Sequence, residues 1–256
     1  MKKPVKNLIT WSPSHLITSQ KSAFTLAEVL ITLAIIGVVA AMTIPTLLTN
    51  FQKKATAVRV KKAYAEYAQA IKLSEVDNGP MQTWNMTNYG NVDHSRRIIE
   101  KYLTPYFSGI NECDQVNDKY CGLKASHNGL TYKLKNGTVI SFYPTLIMGK
   151  YAIMTVITTK PTEKPVMGRD AFYFEAVDGK VQPAFYKAGL TRDEIIYGYR
   201  LEGYNYNEFH VSCKAEPIED LGTDETTGAT IIDDNRTACT ALLFVDGFEF
   251  KEDYPW

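Results

Sequence analysis

The feature that most limits what this chain can fold into is the run Phe24 to Phe51, FTLAEVLITLAIIGVVAAMTIPTLLTNF, which holds one ionisable residue, Glu28. About 20 apolar residues at 1.5 Å each cross a hydrocarbon core of about 30 Å, so the run is a candidate membrane-spanning helix. It is too long for the apolar core of a secretory signal peptide, which spans about 7–15 residues. A carboxylate in hydrocarbon costs on the order of 3 kcal/mol, and an acid placed there needs a named partner. Pro45 cannot donate to the carbonyl of Ala41, which predicts a kink or local loosening. Gly37, between Ile35-Ile36 and Val38-Val39, allows another helix to approach, although glycine is also simply common in membrane helices.

Beyond Asn50 the pattern turns amphipathic. Val60, Tyr64, Tyr67 and Ile71 recur at helical spacing, flanked by Ala57, Ala63, Ala68 and Ala70, and this stripe is expected to lie on a globular domain. Phe51, Ala55 and Val58 fall on the opposite side, and Lys54, Arg59, Lys61 and Lys62 lie away from the tyrosines. Asp77-Asn78-Gly79-Pro80 is a stop signal. A continuous helix from Phe24 to Ser74 would be about 75 Å long, a spine more than an anchor.

Residues 81–129 read as loop-rich, with one helix from Ser95 to Tyr106. Strand signals follow in quick order. Leu130–Lys135 and Thr138–Tyr143 flank Asn136-Gly137, Tyr151–Thr158 is β-rich, and Phe172–Ala176 and Lys180–Phe185 flank Asp178-Gly179. Thr240–Val245 and Phe248–Lys251 flank Asp246-Gly247, so this pair too reads as a hairpin. A short helix is expected at Thr191–Tyr197 and a polar loop at Glu216–Asn235. The fold class is α+β: a long N-terminal helix packed on an antiparallel sheet.

Formal net charge is zero but unevenly spread. Residues 1–23 hold Lys2, Lys3, Lys6 and Lys21 and no acid, while 75–256 hold 18 basic and 26 acidic residues. An acidic outer domain argues against nucleic acid as a partner. Counting Lys and Arg does not orient the chain, because Lys53, Lys54, Arg59, Lys61 and Lys62 rival the leader. The cysteines do: Cys113, Cys121, Cys213 and Cys239 all follow the apolar run, none in a C-x-x-C, and an even number fits two disulfides in an oxidising compartment. Of three connectivities, Cys113–Cys121 with Cys213–Cys239 is favoured, worth about 2.5 and 3.5 kcal/mol by loop closure. Zinc is the competing reading, disfavoured by the spread of the four.

No catalytic constellation stands out. His15, His94, His127 and His210 are scattered, and H-E-x-x-H, G-x-S-x-G and P-loop patterns are absent. No enzyme activity and no cofactor are expected. Asp224, Glu225, Asp233, Asp234 and Asn235 could offer oxygens to Ca²⁺, but their spacing is not an EF-hand and a solvated loop is preferred. No metal site is therefore assigned.

Lys21-Ser22-Ala23 followed by Phe24-Thr25-Leu26-Ala27-Glu28 resembles the prepilin processing site of type IV pilins and type II secretion pseudopilins. The resemblance covers about 30 residues. It implies cleavage by a prepilin peptidase between Ala23 and Phe24, with N-methylation of Phe24. Ala23 departs from the family's usual glycine. Glu28 becomes the fifth mature residue, which the family uses to meet the terminal amine of a neighbouring subunit, and Gly37 and Pro45 also match the family's helix. The implied organisation is a leader at 1–23, a transmembrane and spine helix at 24–74, and an extracytoplasmic pilin-like domain at 75–256. The implied function is that of a structural subunit of a type IV pilus or a type II secretion pseudopilus. The alternatives are a minor pilin with a binding or adhesive outer domain and a membrane-anchored extracytoplasmic protein that does not polymerise. The implied partners are copies of itself or other pilin-like subunits, prepilin peptidase, the pilus or secretion assembly platform and inner-membrane lipid. The precursor would sit in the inner membrane with its C-terminal domain outside the cytoplasm, then enter a periplasmic or cell-surface filament.

Overall fold

The structure is a computed structural model, described over residues 25–87, 91–113, 121, 129–162, 165–201, 209–214 and 236–256. It divides into two compact units, Met1–Leu48 and Thr49–Trp256. One helix, α1 (Leu26–Asn78), belongs to both and continues through Pro45. Gly79, at φ +77°, and Pro80 follow its end, as the stop signal predicts.

In the second unit, α1 buries Ala57, Val60, Ala63, Tyr67, Ala70, Ile71 and Ser74, a stripe at helical spacing. Its small residues let the backbone lie close to the sheet, and its large ones interleave with Ile140, Phe142, Ile153, Ile157, Phe172 and Phe174. The Tyr67 hydroxyl donates to the Ile153 carbonyl at 3.0 Å, opposite Pro144, which has no N–H to give. Tyr64 donates to the Val181 carbonyl at 3.2 Å and packs its ring on Phe174, Phe244 and Phe248. The exposed Arg59 is not wholly turned away: its Nη1 donates to the Thr159 carbonyl at 3.2 Å.

The sheet is antiparallel and its strands lie in chain order: β1 (Ile110–Glu112), β2 (Leu130–Leu134), β3 (Val139–Ile147), β4 (Lys150–Thr158), β5 (Ala171–Val177) and β6 (Lys180–Pro183). The Asn136-Gly137 and Asp178-Gly179 turns join the pairs expected from the sequence, with Asp178 and Gly179 both at positive φ as a two-residue hairpin turn needs. Met148-Gly149 makes the same kind of turn between β3 and β4. The helix predicted at Ser95–Tyr106 is α2 (Val92–Tyr102), capped by Asn91 and followed by a 3-10 turn at Thr104–Tyr106. Two short strands, β7 (Tyr199–Leu201) and β8 (Phe209–Val211), pair after α3 (Arg192–Tyr197).

The hairpin expected around Asp246-Gly247 is absent. Ala238–Val245 is a helix, α4, and no strand follows it. Asp246-Gly247 is its C-cap: the Phe248 N–H reaches the Leu243 carbonyl at 2.8 Å and the Gly247 N–H reaches that of Phe244 at 3.1 Å, with Gly247 at φ +70°. This is a Schellman closure, which needs the same left-handed glycine that a hairpin turn needs. The Glu216–Asn235 loop, with Asp224, Glu225, Asp233 and Asp234, lies outside the described residues.

Candidate functional site

Ala23 and Phe24 lie outside the described residues. The site is therefore built from Thr25 onward. Thr25 caps α1: its Oγ1 accepts from the Glu28 N–H at 3.2 Å, while Glu28 Oε2 accepts from the Thr25 N–H at 2.8 Å and from the Thr25 hydroxyl at 2.9 Å. This reciprocal pair is a capping box, which satisfies two of the donors that a helix start leaves open. It turns the carboxylate back toward the end of the helix where Phe24 joins. The signal was in the sequence as Thr25-x-x-Glu28 before an apolar run, and reading Glu28 only as an acid in search of a cation passed over Thr25 as its local partner.

All of residues 25–48 are exposed except Ala40, which is partly covered, and the apolar window within α1 has a mean hydropathy of 2.3 with none of it buried. The helix is long and apolar enough to cross a membrane. Two of the hydroxyls inside the run bond the helix itself, Thr32 on the Val29 carbonyl and Thr43 on the Val39 carbonyl, both at 2.9 Å. Neither asks for water in an apolar surrounding. A Cβ added to Gly37 would meet nothing within 4 Å. At 100° per residue Glu28 and Gly37 point to opposite sides of the helix, and Pro45 to a third direction. The structure does not gather the three into one site. It spreads them around a helix whose large apolar side chains are exposed, the arrangement of a helix to be surrounded on several sides.

Past the apolar run, α1 keeps Phe51 70%, Val58 67% and Val76 81% exposed while its other face is packed. Cys113 is bonded to Cys121 with Cα atoms 5.7 Å apart, and Cys213 to Cys239 at 4.4 Å. The second bond ties the chain beyond β8 to the first turn of α4. Among the described residues no group of acids, histidines and cysteines could hold a metal ion.

One acid on the far side of the sheet is unusual. Glu175 in β5 is 4% exposed among Met154, Val156 and Tyr173, accepts from Gln182 Nε2 at 2.8 Å, and leaves Oε2 without a hydrogen-bond partner among the described residues. Burial pushes its pKa up, opposed by hydrogen bonds from Gln182 and the Phe185 backbone.

Comparison with known proteins gives two matches and two negatives. Residues 46–256 match the model described as a family of unknown function (DUF6613). Residues 18–44 match the prokaryotic N-terminal methylation motif, the prepilin-cleavage signal of type IV pilins and pseudopilins. No curated protein matches, and no solved structure matches.

Proposed function

The chain belongs to that family of unknown function, and from this and its methylation motif we propose that it is a pilin-like subunit, made as a membrane-anchored precursor and assembled into a filament through α1. The observation that carries the reading is the exposed apolar helix standing directly behind the cleavage signal, with Glu28 in its first turn. In this proposal prepilin peptidase removes residues 1–23 and the methylated Phe24 begins the mature chain. The organisation that goes with it is a spine at 24–74 and an outer domain at 75–256, exported to an oxidising compartment where its two disulfides form.

Assembly is driven by two terms. Apolar surface from Leu26 to Leu48 leaves lipid for the surfaces of neighbouring helices, with Gly37 giving the closest approach. Glu28 exchanges its local cap for the ammonium of a neighbour's Phe24. Opposite charges attract strongly away from water, and each would be costly there alone, so assembly pairs them. The platform that extracts the subunit belongs to a pilus or a type II secretion system.

Mass spectrometry of the mature chain tests the reading directly. N-methylated Phe24 is expected at the terminus, and an intact leader would remove its main support.

A further inference from the structure

We propose that Trp256 and Lys53 form an interfacial anchor, seated in the phospholipid headgroup layer of the membrane that α1 crosses. The proposal rests on the reading of α1 as membrane-spanning, and it concerns a different surface of the chain. Leu26–Leu48 is 23 residues, about 35 Å of helix, enough to fill a hydrocarbon core of about 30 Å. Lys53 lies five residues farther on, about 8 Å along a helix, and the headgroup layer is about that thick.

Its Nζ sits 5.7 Å from the centre of the Trp256 ring. Trp256 is held in place from behind. Its ring meets Phe250 edge-on at 4.8 Å, Phe250 meets Tyr254 at 4.6 Å, and the buried Tyr254 hydroxyl donates to the Gly168 carbonyl at 2.6 Å. The Pro255 carbonyl accepts from Arg236. This rigid backing leaves the indole partly exposed beside a lysine at the depth where tryptophan and lysine are favoured in membranes.

Charge supports lipid as the occupant. From Thr49 to Ala65 the chain holds Lys53, Lys54, Arg59, Lys61 and Lys62 and no acid, although the domain beyond is acidic. Such a cluster next to a membrane span attracts anionic headgroups. The nearby exposed Asp253 is engaged by Arg192, and the buried side chain of Asp246 by Arg192 and Lys251; Glu249 and Glu252 are the other exposed acids of this segment.

Tryptophan emission of the full, unprocessed chain in vesicles is the test. Trp11 is replaced by phenylalanine, and the difference between that chain and one also carrying Trp256→Phe isolates the emission of Trp256. Vesicles of phosphatidylcholine with phosphatidylglycerol carry a nitroxide either on the headgroup or deep in the acyl chain. Headgroup nitroxide is expected to lower Trp256 emission by about half or more, and deep nitroxide to lower it much less. Lys53→Glu with Lys54→Glu should reduce the headgroup quenching. Headgroup nitroxide without effect while protease protection shows α1 inserted would overturn the proposal. So would an indole shielded from both nitroxides and from acrylamide, because another protein surface would then cover it. The readout needs neither cleavage nor assembly, so its failure leaves the N-methylated Phe24 result standing.

Discussion

Glu28 carries two roles that a pair of substitutions separates. In the single chain it closes a capping box with Thr25, and in the filament it is proposed to meet a neighbour's amine. Glutamine keeps the box, since its amide oxygen still accepts from the Thr25 N–H, but it carries no charge. Glu28→Gln and Glu28→Leu are therefore both expected to insert into the membrane and both to lower filament incorporation, read by shearing and immunoblot. If Glu28→Gln incorporates as well as the unaltered chain while Glu28→Leu does not, the cap is what assembly needs. Glu175 offers a pH-dependent counterpart. Because burial raises its folded pKa, the folded chain keeps a proton that the unfolded chain has released above the ordinary value of 4.5. Stability from this group is thus full below pH 4.5 and falls as pH rises through the folded value. Glu175→Gln should leave the melting temperature nearly unchanged at the acid end and raise stability at neutral pH by about 1–2 kcal/mol, the usual cost of a buried polar atom left unsatisfied, here Oε2. A melting series across pH reads both.

At the scale of elements, the α1 stripe and two of the three Gly-containing turns read in the sequence were legible for one reason. Helix periodicity and left-handed turn chemistry are local, and both survive in tertiary context. The run Thr240–Val245 was not legible, because continuous apolarity fits a buried strand and a buried helix equally, and Asp-Gly serves a hairpin and a helix C-cap alike. Tertiary contacts decide it. The Cys213–Cys239 bond holds the first turn of α4, and Asp246 at its end, 2% exposed at its side chain, takes both Arg192 and Lys251. Arg192 also engages Asp253, so one guanidinium fixes α3, the α4 cap and the tail together. Arg192→Ala is expected to cost about 2–4 kcal/mol, since it strips a buried carboxylate of its main partner, with the loss read by urea denaturation. Thr191→Ala, which removes only the capping box of α3, should cost about 1 kcal/mol.

For the whole molecule, Glu28 stands out in the sequence because an acid in an apolar run is rare enough to inform, and what the structure adds to it is the capping box with Thr25. The short strands β7 and β8 gave no such signal, since three-residue strands are below the length at which alternation can be seen. The two disulfides act on loops of different length, with separations of 8 and 26 residues. Replacing Cys213 and Cys239 by serine is expected to destabilise the domain by about 3.5 kcal/mol, and replacing Cys113 and Cys121 by about 2.5 kcal/mol. Denaturant midpoints of the two double variants would show the order.

The strand order of the sheet has a bearing on how the protein is made. From β1 to β6 each strand pairs with its neighbours in the chain, so every new strand finds its template already in place as the polypeptide emerges. Short-range pairing of this kind folds fast. Tyr67 and Ile71 of α1 precede the sheet in the chain and are buried in the core it shares with them. What comes last is α4, which the hydrogen bond from the Tyr173 N–H to Thr240 fastens to β5 and the disulfide to Cys213 ties to the chain beyond β8. The chain thus builds outward from its membrane helix and is sealed by its final helix.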